Sequence, residues 1–271
     1  MGSNPIRGTR IRNGANPINY GFLPHRMAGR LILKLSLRCK VNMRKIEITN
    51  EEYYHIFNRG VDKRKVFLGD EDYMRFMISL LLLSAQRDGL MEKWRDFRKI
   101  NPKVKLKDFL DSRKIDLKDR LIEIICFCLN PNHYHLVLRQ LKEKGVELFM
   151  HKLGTSYTKF FNKKNERSGS LFQGTYKSIH IESNDQLLYL SAYVNMNHYI
   201  HGYEKSLSLT LGTWPYSSLP EYLGKRSENL CNCNKDIILD QFQDVFEYEK
   251  YIKVNAEHFK EKKESEKYCL E

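Results

Sequence analysis

Apolar residues along this chain alternate between the two-residue period of a strand and the three-to-four-residue period of a helix. Tyr53-Tyr54-His55-Ile56-Phe57 is aromatic and β-branched, and Asn58-Arg59-Gly60 closes it like a turn. Tyr73, Phe76, Met77, Leu80 and Leu83 then recur at helical spacing, which predicts a helix over 70–83. Residues 121–129 are almost continuously apolar, as expected of a strand covered on both faces. Asn130-Pro131-Asn132 predicts a turn, and the next strand runs from His133 to Leu138. Val146, Phe149, Met150, Leu153, Tyr157, Phe160 and Phe161 trace one stripe of a second long helix. Tyr176 to Ile181 reads as a short strand, and Ser183 with Gln186 forms a capping box that opens a further helix. The order strand, helix, strand, strand, helix, strand predicts an α+β chain, with a ferredoxin-like βαββαβ antiparallel sheet and one helix after its last strand.

Three segments stand outside that pattern. Residues 1–42 have no period and are expected to be a flexible basic extension, either native or the product of an upstream start codon. Within the main unit, 43–222, the charge-rich stretch 88–118 looks like a helical or mobile insertion. Residues 223–271 carry a helical stripe through Ile237, Leu239, Phe242, Val245, Phe246 and Tyr251, the mark of a small helical C-terminal extension. Its acidity favours packing on the core over contact with a polyanion.

Composition narrows the function classes. The chain has 271 residues, 41% hydrophobic and 29% charged, with no run long enough for a membrane span. Its one apolar stretch near the start, Leu31 to Leu37, is broken by Lys34 and lacks the form of a signal peptide, so a cytoplasmic location is expected. Six cysteines in this length do not make a disulfide framework, and Cys231-Asn-Cys233 is too closely spaced for a zinc knuckle. Cys126 and Cys128 are expected to behave as small buried hydrophobes. The net charge of +13 is unevenly spread. Residues 1–50 hold ten Lys/Arg against one acid, 221–271 hold nine against twelve, and 51–220 keep 27 against 20, a net +7. That middle is basic enough to favour a phosphate backbone.

Three groups of residues carry candidate chemistry. In His133-Tyr134-His135 the two imidazoles share one face of a strand, which makes a partial metal site or, alternatively, two histidines satisfied at a sheet surface. On the helix after Ser183, Tyr189, Tyr193 and Asn197 are spaced four apart along one face, while Leu187, Leu190 and Val194 form an apolar face. A tyrosine one turn before an amide is what a nucleophile beside a metal ligand looks like, although an aromatic packing stripe has the same spacing. Tyrosine, with an ordinary pKa of about 10, needs a polarised target or a nearby base to attack. Finally, Lys159, Lys163, Lys164, Arg167 and Lys177 are interleaved with Phe160, Phe161, Phe172 and Tyr176, a mixture suited to phosphates and unpaired bases or to an ordinary solvated loop.

The stretch Cys128-Leu129-Asn130-Pro131-Asn132-His133-Tyr134-His135-Leu136-Val137-Leu138 resembles the histidine–hydrophobic–histidine motif of the HUH single-tyrosine transposases, and in particular their REP-associated branch. Further pieces match in the family's order: Tyr53 to Gly60, Tyr157 to Asn162 with Ser168 to Gly174, Tyr193-Val194-Asn195-Met196-Asn197, and Trp214-Pro215-Tyr216-Ser217-Ser218. Together they span about 43–220. The resemblance implies a ferredoxin-like catalytic domain using Mg²⁺ or Mn²⁺, with His133, His135 and Asn197 as metal ligands and Tyr193 as nucleophile. It implies metal-dependent cleavage and strand transfer of single-stranded DNA through a 5′-phosphotyrosine, at palindromic repeats that form hairpins. Arg59, Lys159, Lys163, Lys164, Arg167 and Lys177 are then the expected DNA contacts. One departure is His198, which stands where family members usually have proline. The alternatives are a catalytically silent DNA-binding descendant of such an enzyme, a related HUH nickase, or an unrelated metal hydrolase, for which no further Asp/His motif is present. A monomer and a homodimer are equally compatible with the sequence.

Overall fold

The computed structural model describes residues 47–203, 211–226 and 230–268, so the 1–42 extension lies outside the described residues. The elements are β1 (Tyr53–Arg59), α1 (Asp70–Ser84), α2 (Leu90–Ile100), α3 (Leu106–Ser112), β2 (Ile122–Asn130), β3 (His133–Gln140), α4 (Gly145–Lys164), β4 (Lys177–Ile181), α5 (Asn184–Asn195), α6 (Asn197–Ile200), α7 (Leu219–Tyr222), α8 (Asp236–Leu239) and α9 (Val245–Tyr268). The four strands form one antiparallel sheet in the order β2-β3-β1-β4. Each helical crossover returns the chain parallel to the strand it left, with a third strand between them. The result is the ferredoxin-like βαββαβ sheet.

Alternation along the strands sorts side chains between two layers. Tyr54, Ile56, Tyr134, Leu136 and Leu138 meet Phe76, Met77 and Leu80 of α1 and Phe149, Leu153 and Tyr157 of α4 in one core. Cys126, Cys128, Val137 and Ile181 meet Leu187, Ala192 and Val194 of α5 and Tyr248, Ile252, Ala256 and Phe259 of α9 in the other. A bulge between Ile124 and Cys126 shifts the register of β2, so Ile125 and Cys126 both serve this second layer. Burial on both faces explains why β2 reads as an unbroken apolar run. Cys231 and Cys233 lie buried in the first core.

Several boundaries differ from the sequence expectation, each because of a long-range partner. β1 extends through Asn58 and Arg59, which pair with Tyr134 and His133, so the expected turn begins only at Gly60. Asn130 belongs to β2 and pairs with His133, leaving Pro131 and Asn132 alone in the hairpin turn. The 88–118 insertion forms α2 and α3, which bury Leu90, Met91, Trp94 and Phe109 against Ile78 and Leu82 of α1. Its charges mark only the outer face of this satellite core. In the C-terminal segment the buried stripe is Tyr248, Ile252, Ala256 and Phe259, whereas Val245 and Phe246 are exposed. No helix among the described residues is long and apolar enough to cross a membrane.

Candidate functional site

Register alone brings the site together. Opposite residues of paired strands face the same side, so β3 presents His133 and His135 beside Arg59 and Phe57 of β1 and Asn130 and Cys128 of β2. Lys177 of β4 extends the row beyond Phe57, with its ammonium 5.9 Å from that ring. α5 crosses this face. Its N-terminus is capped as expected, Ser183 Oγ accepting from the Gln186 amide at 3.2 Å, while Gln186 Oε1 accepts from the amide of Glu182.

Tyr193 lies over the histidines, its ring 5.5 Å from that of His135 and 6.2 Å from that of His55, edge-on to both. Phe259 of α9 packs against it at 5.2 Å. Tyr189, one turn earlier, meets Phe259 instead. Asn197, one turn after Tyr193, also meets the histidine pair, across a break in the helix. α5 ends at Asn195, Met196 adopts φ −98 and ψ 6, and Asn197 opens the short α6. Asn197 is fully buried, and its Oδ1 lies 3.0 Å from His133 Nε2. His198, in the family's proline position, is buried and stacks on Trp214 with rings 6.0 Å apart.

The hydrogen bonds around His133 assign its tautomer. Asn132 Nδ2 donates to the Lys63 carbonyl at 3.1 Å, so Asn132 Oδ1 is the atom facing His133 Nδ1, at 2.6 Å, and must accept. A neutral His133 therefore keeps its proton on Nδ1 and presents a lone pair at Nε2. Asn130 Nδ2 donates both to that nitrogen at 3.0 Å and to Asn197 Oδ1 at 2.6 Å. Two acceptors thus face one another across a buried gap, and Asn197 Nδ2 has no hydrogen-bond partner among the described residues. Acceptors held in this way, one imidazole nitrogen and one amide oxygen with a second imidazole beside them, fit a divalent cation. Among the described residues no three His, Cys, Asp or Glu side chains group as a metal site; the set here is two imidazoles and an amide.

Burial keeps these imidazoles neutral. It pushes His133 down to about 4, offset in part because Asn197 Oδ1 would accept from a protonated Nε2, and it holds His135 well below its ordinary value, helped by the neighbouring imidazoles. His55 is likewise pushed to about 4 by burial. A histidine whose folded pKa is depressed contributes stability that is complete above the unfolded value near 6.5 and lost as pH falls towards the folded one. For His55 and His133 the loss falls between pH 6.5 and 4, on the order of 3 kcal/mol each. Thermal melts from pH 7 to 4.5 should show it, and a His133→Gln variant should lose less over that range. Equal losses in the two proteins would contradict the assignment.

The basic residues expected to contact DNA are divided by the sheet. Arg59, the register partner of His133, and Lys177 are on the site's face. Lys159 and Lys163 are exposed on α4, in the opposite layer. Lys164 is engaged within the protein: its ammonium lies 2.7 Å from Asp72, which is fully buried, and 2.8 Å from Glu71. Arg167 bonds Asn162 at 2.6 Å and the Ser170 carbonyl at 3.0 Å, closing the loop after α4. Lys164→Met strands the buried Asp72 carboxylate, which among the described residues keeps the Leu68 amide as its donor, at 2.7 Å. The expected cost is about 2 kcal/mol, less than for a fully buried pair because Lys164 is partly exposed. Urea unfolding measures it, and an unchanged midpoint with weakened DNA binding would return Lys164 to the DNA surface. His55, Asn130 and Asn132 were missed as site residues because only strand register and the hairpin bring them to His133 and His135.

The chain thus combines a ferredoxin-like sheet, a His-x-His pair on one strand and a tyrosine-bearing helix across that face. Residues 100–197 match the family model described as "Transposase IS200 like", a stretch that runs from the end of α2 through both histidines and Tyr193 to Asn197. The resemblance to the single-tyrosine transposases therefore holds over the part of the chain that carries the site, and it supports a DNA transposase. Among solved structures, one described as "Structure of the REP associates tyrosine transposase bound to a REP hairpin" is similar at 13% identity and TM-score 0.42, over 70% of this chain and 88% of that one. No curated protein matches the chain.

Proposed function

We propose that the protein cleaves single-stranded DNA and transfers the strand through a covalent 5′-phosphotyrosine on Tyr193, with Mg²⁺ or Mn²⁺ held by His133, His135 and Asn197. The observation that carries this reading is the convergence of these four side chains, from β3, α5 and α6, on one buried face. When bound, the cation would supply Lewis-acid polarisation of the scissile phosphate. Tyr193 Oη forms the new bond to phosphorus, its proton is released, and the 3′-oxygen of the upstream nucleotide leaves with the bonding pair and takes up a proton. The phosphodiester energy is kept in the tyrosyl ester, so a second 3′-hydroxyl can reverse the step and join new ends. Arg59 and Lys177, beside the histidines, are placed to receive the strand's phosphates. The substrate class that fits the motif resemblance is a palindromic repeat folded as a hairpin with a single-stranded flank.

The test is incubation of the full chain with end-labelled hairpin oligonucleotides in Mn²⁺ or Mg²⁺, resolved on a denaturing protein gel. The expected result is label transferred to the protein only when metal is present. Binding across a varied hairpin pool with no adduct would overturn the reading in favour of a silent DNA-binding protein.

A further inference from the structure

We infer that His55 is a positioning residue that sets the tautomer of His135; the inference rests on the metal-binding reading of His133, His135 and Asn197. His55 Nε2 lies 2.9 Å from His135 Nδ1, with ring centroids 5.1 Å apart and planes 19° apart, the edge-to-edge arrangement of an in-plane hydrogen bond. His55 is 4% exposed and His135 7%, so water does not compete for the contact. Phe57 packs against both rings, at 5.0 and 5.5 Å, and limits their rotation.

A hydrogen bond between two neutral imidazoles needs one donor and one acceptor. If His55 donates, the proton of His135 is forced onto Nε2 and that ring cannot ligate through it. If His135 donates from Nδ1, its Nε2 is left as a lone pair, the same state that Asn132 imposes on His133. Metal-binding histidines commonly hand their other N–H to a fixed acceptor, which sets both tautomer and ring orientation. His55 does this for His135, and the two ligands are then presented alike, each through Nε2. The consequence falls on His55 itself. Its own proton moves to Nδ1, a buried atom without a hydrogen-bond partner among the described residues, next to the ring of Tyr193. Leaving that group unsatisfied is the cost of a correctly presented His135.

Two variants of the full chain test this, His55→Gln and His55→Leu. A glutamine oxygen reaches the place of the imidazole Nε2 and can accept the same proton, whereas leucine cannot. Nitrogen-detected NMR of the metal-free protein reads the tautomer of His135, and electron paramagnetic resonance titration reads Mn²⁺ affinity. The Nδ1–H form is expected in the wild type and in His55→Gln, and its loss in His55→Leu. Mn²⁺ binding should weaken about 10–100-fold in His55→Leu and stay within about threefold of wild type in His55→Gln. An Nε2–H form of His135 in the wild type would overturn the inference. So would equal weakening in both variants, which marks packing alone, or wild-type affinity in His55→Leu. If the wild type itself binds no Mn²⁺, the metal reading fails, and the tautomer measurement still decides the role of His55. If His55→Leu does not fold, the wild type and His55→Gln spectra decide it.

Discussion

Tyr193→Phe is expected to abolish the covalent DNA adduct while hairpin binding stays within about twofold of wild type. The change removes one oxygen and keeps the ring that packs against His135, His55 and Phe259, so the helix and the face beneath it remain in place. With no atom left to form the phosphoester, cleavage should fall by at least about 10⁴-fold, as when other covalent enzymes lose their nucleophile. The parallel Tyr189→Phe variant should cleave normally, because Tyr189 meets Phe259 and is a full turn further from the histidines. Transfer of label in Tyr193→Phe with loss in Tyr189→Phe would exchange the two roles.

His133→Ala should be nearly as damaging, by a separate route. Its Nε2 is bonded by Asn130 Nδ2 and lies against Asn197 Oδ1, while its Nδ1 donates to Asn132. Removing the ring takes away one proposed ligand and releases the other amides from their fixed orientation. Losing the several kcal/mol of charge stabilisation expected from a bound cation corresponds to roughly a 10³-fold drop in cleavage. Mn²⁺ affinity should fall in step, while binding of the hairpin in chelator is retained. Full cleavage by His133→Ala at saturating Mn²⁺ would remove His133 from the metal site. The two variants are told apart by the titration: Tyr193→Phe should still bind Mn²⁺ and His133→Ala should not.

Much of the candidate site was legible in the chain itself. His133 and His135 had to share a face once their segment was a strand, and β3 is that strand. The Ser183 cap and the helix carrying Tyr193 followed from local patterning and are present. What escaped was the break at Met196: a spacing of four residues implied one continuous helix, whereas α5 ends at Asn195 and Asn197, still on the histidine side, opens α6. His55 escaped for a different reason. Its motif was visible, but its partner, 80 residues away, depends on the register of β1 against β3.

The sequence by itself determined the kind and order of the elements, because periodicity, capping and turn residues act over a few neighbours. It also determined the chemical inventory: a His-x-His pair, a tyrosine on a helix and a basic middle. Only the tertiary structure decided which charges are engaged within the protein. Lys164 belongs to the basic stretch by pattern alone, and only the fold brings buried Asp72 within 2.7 Å of it. The charged insertion likewise proved to have an apolar inner face only when Trp94 and Phe109 met α1. The sheet, finally, separated Lys159 and Lys163 from the histidines and brought Arg59 and Lys177 to them. Burial, ion pairing and side-chain tautomers depend on partners distant in the chain, so local pattern carries no record of them.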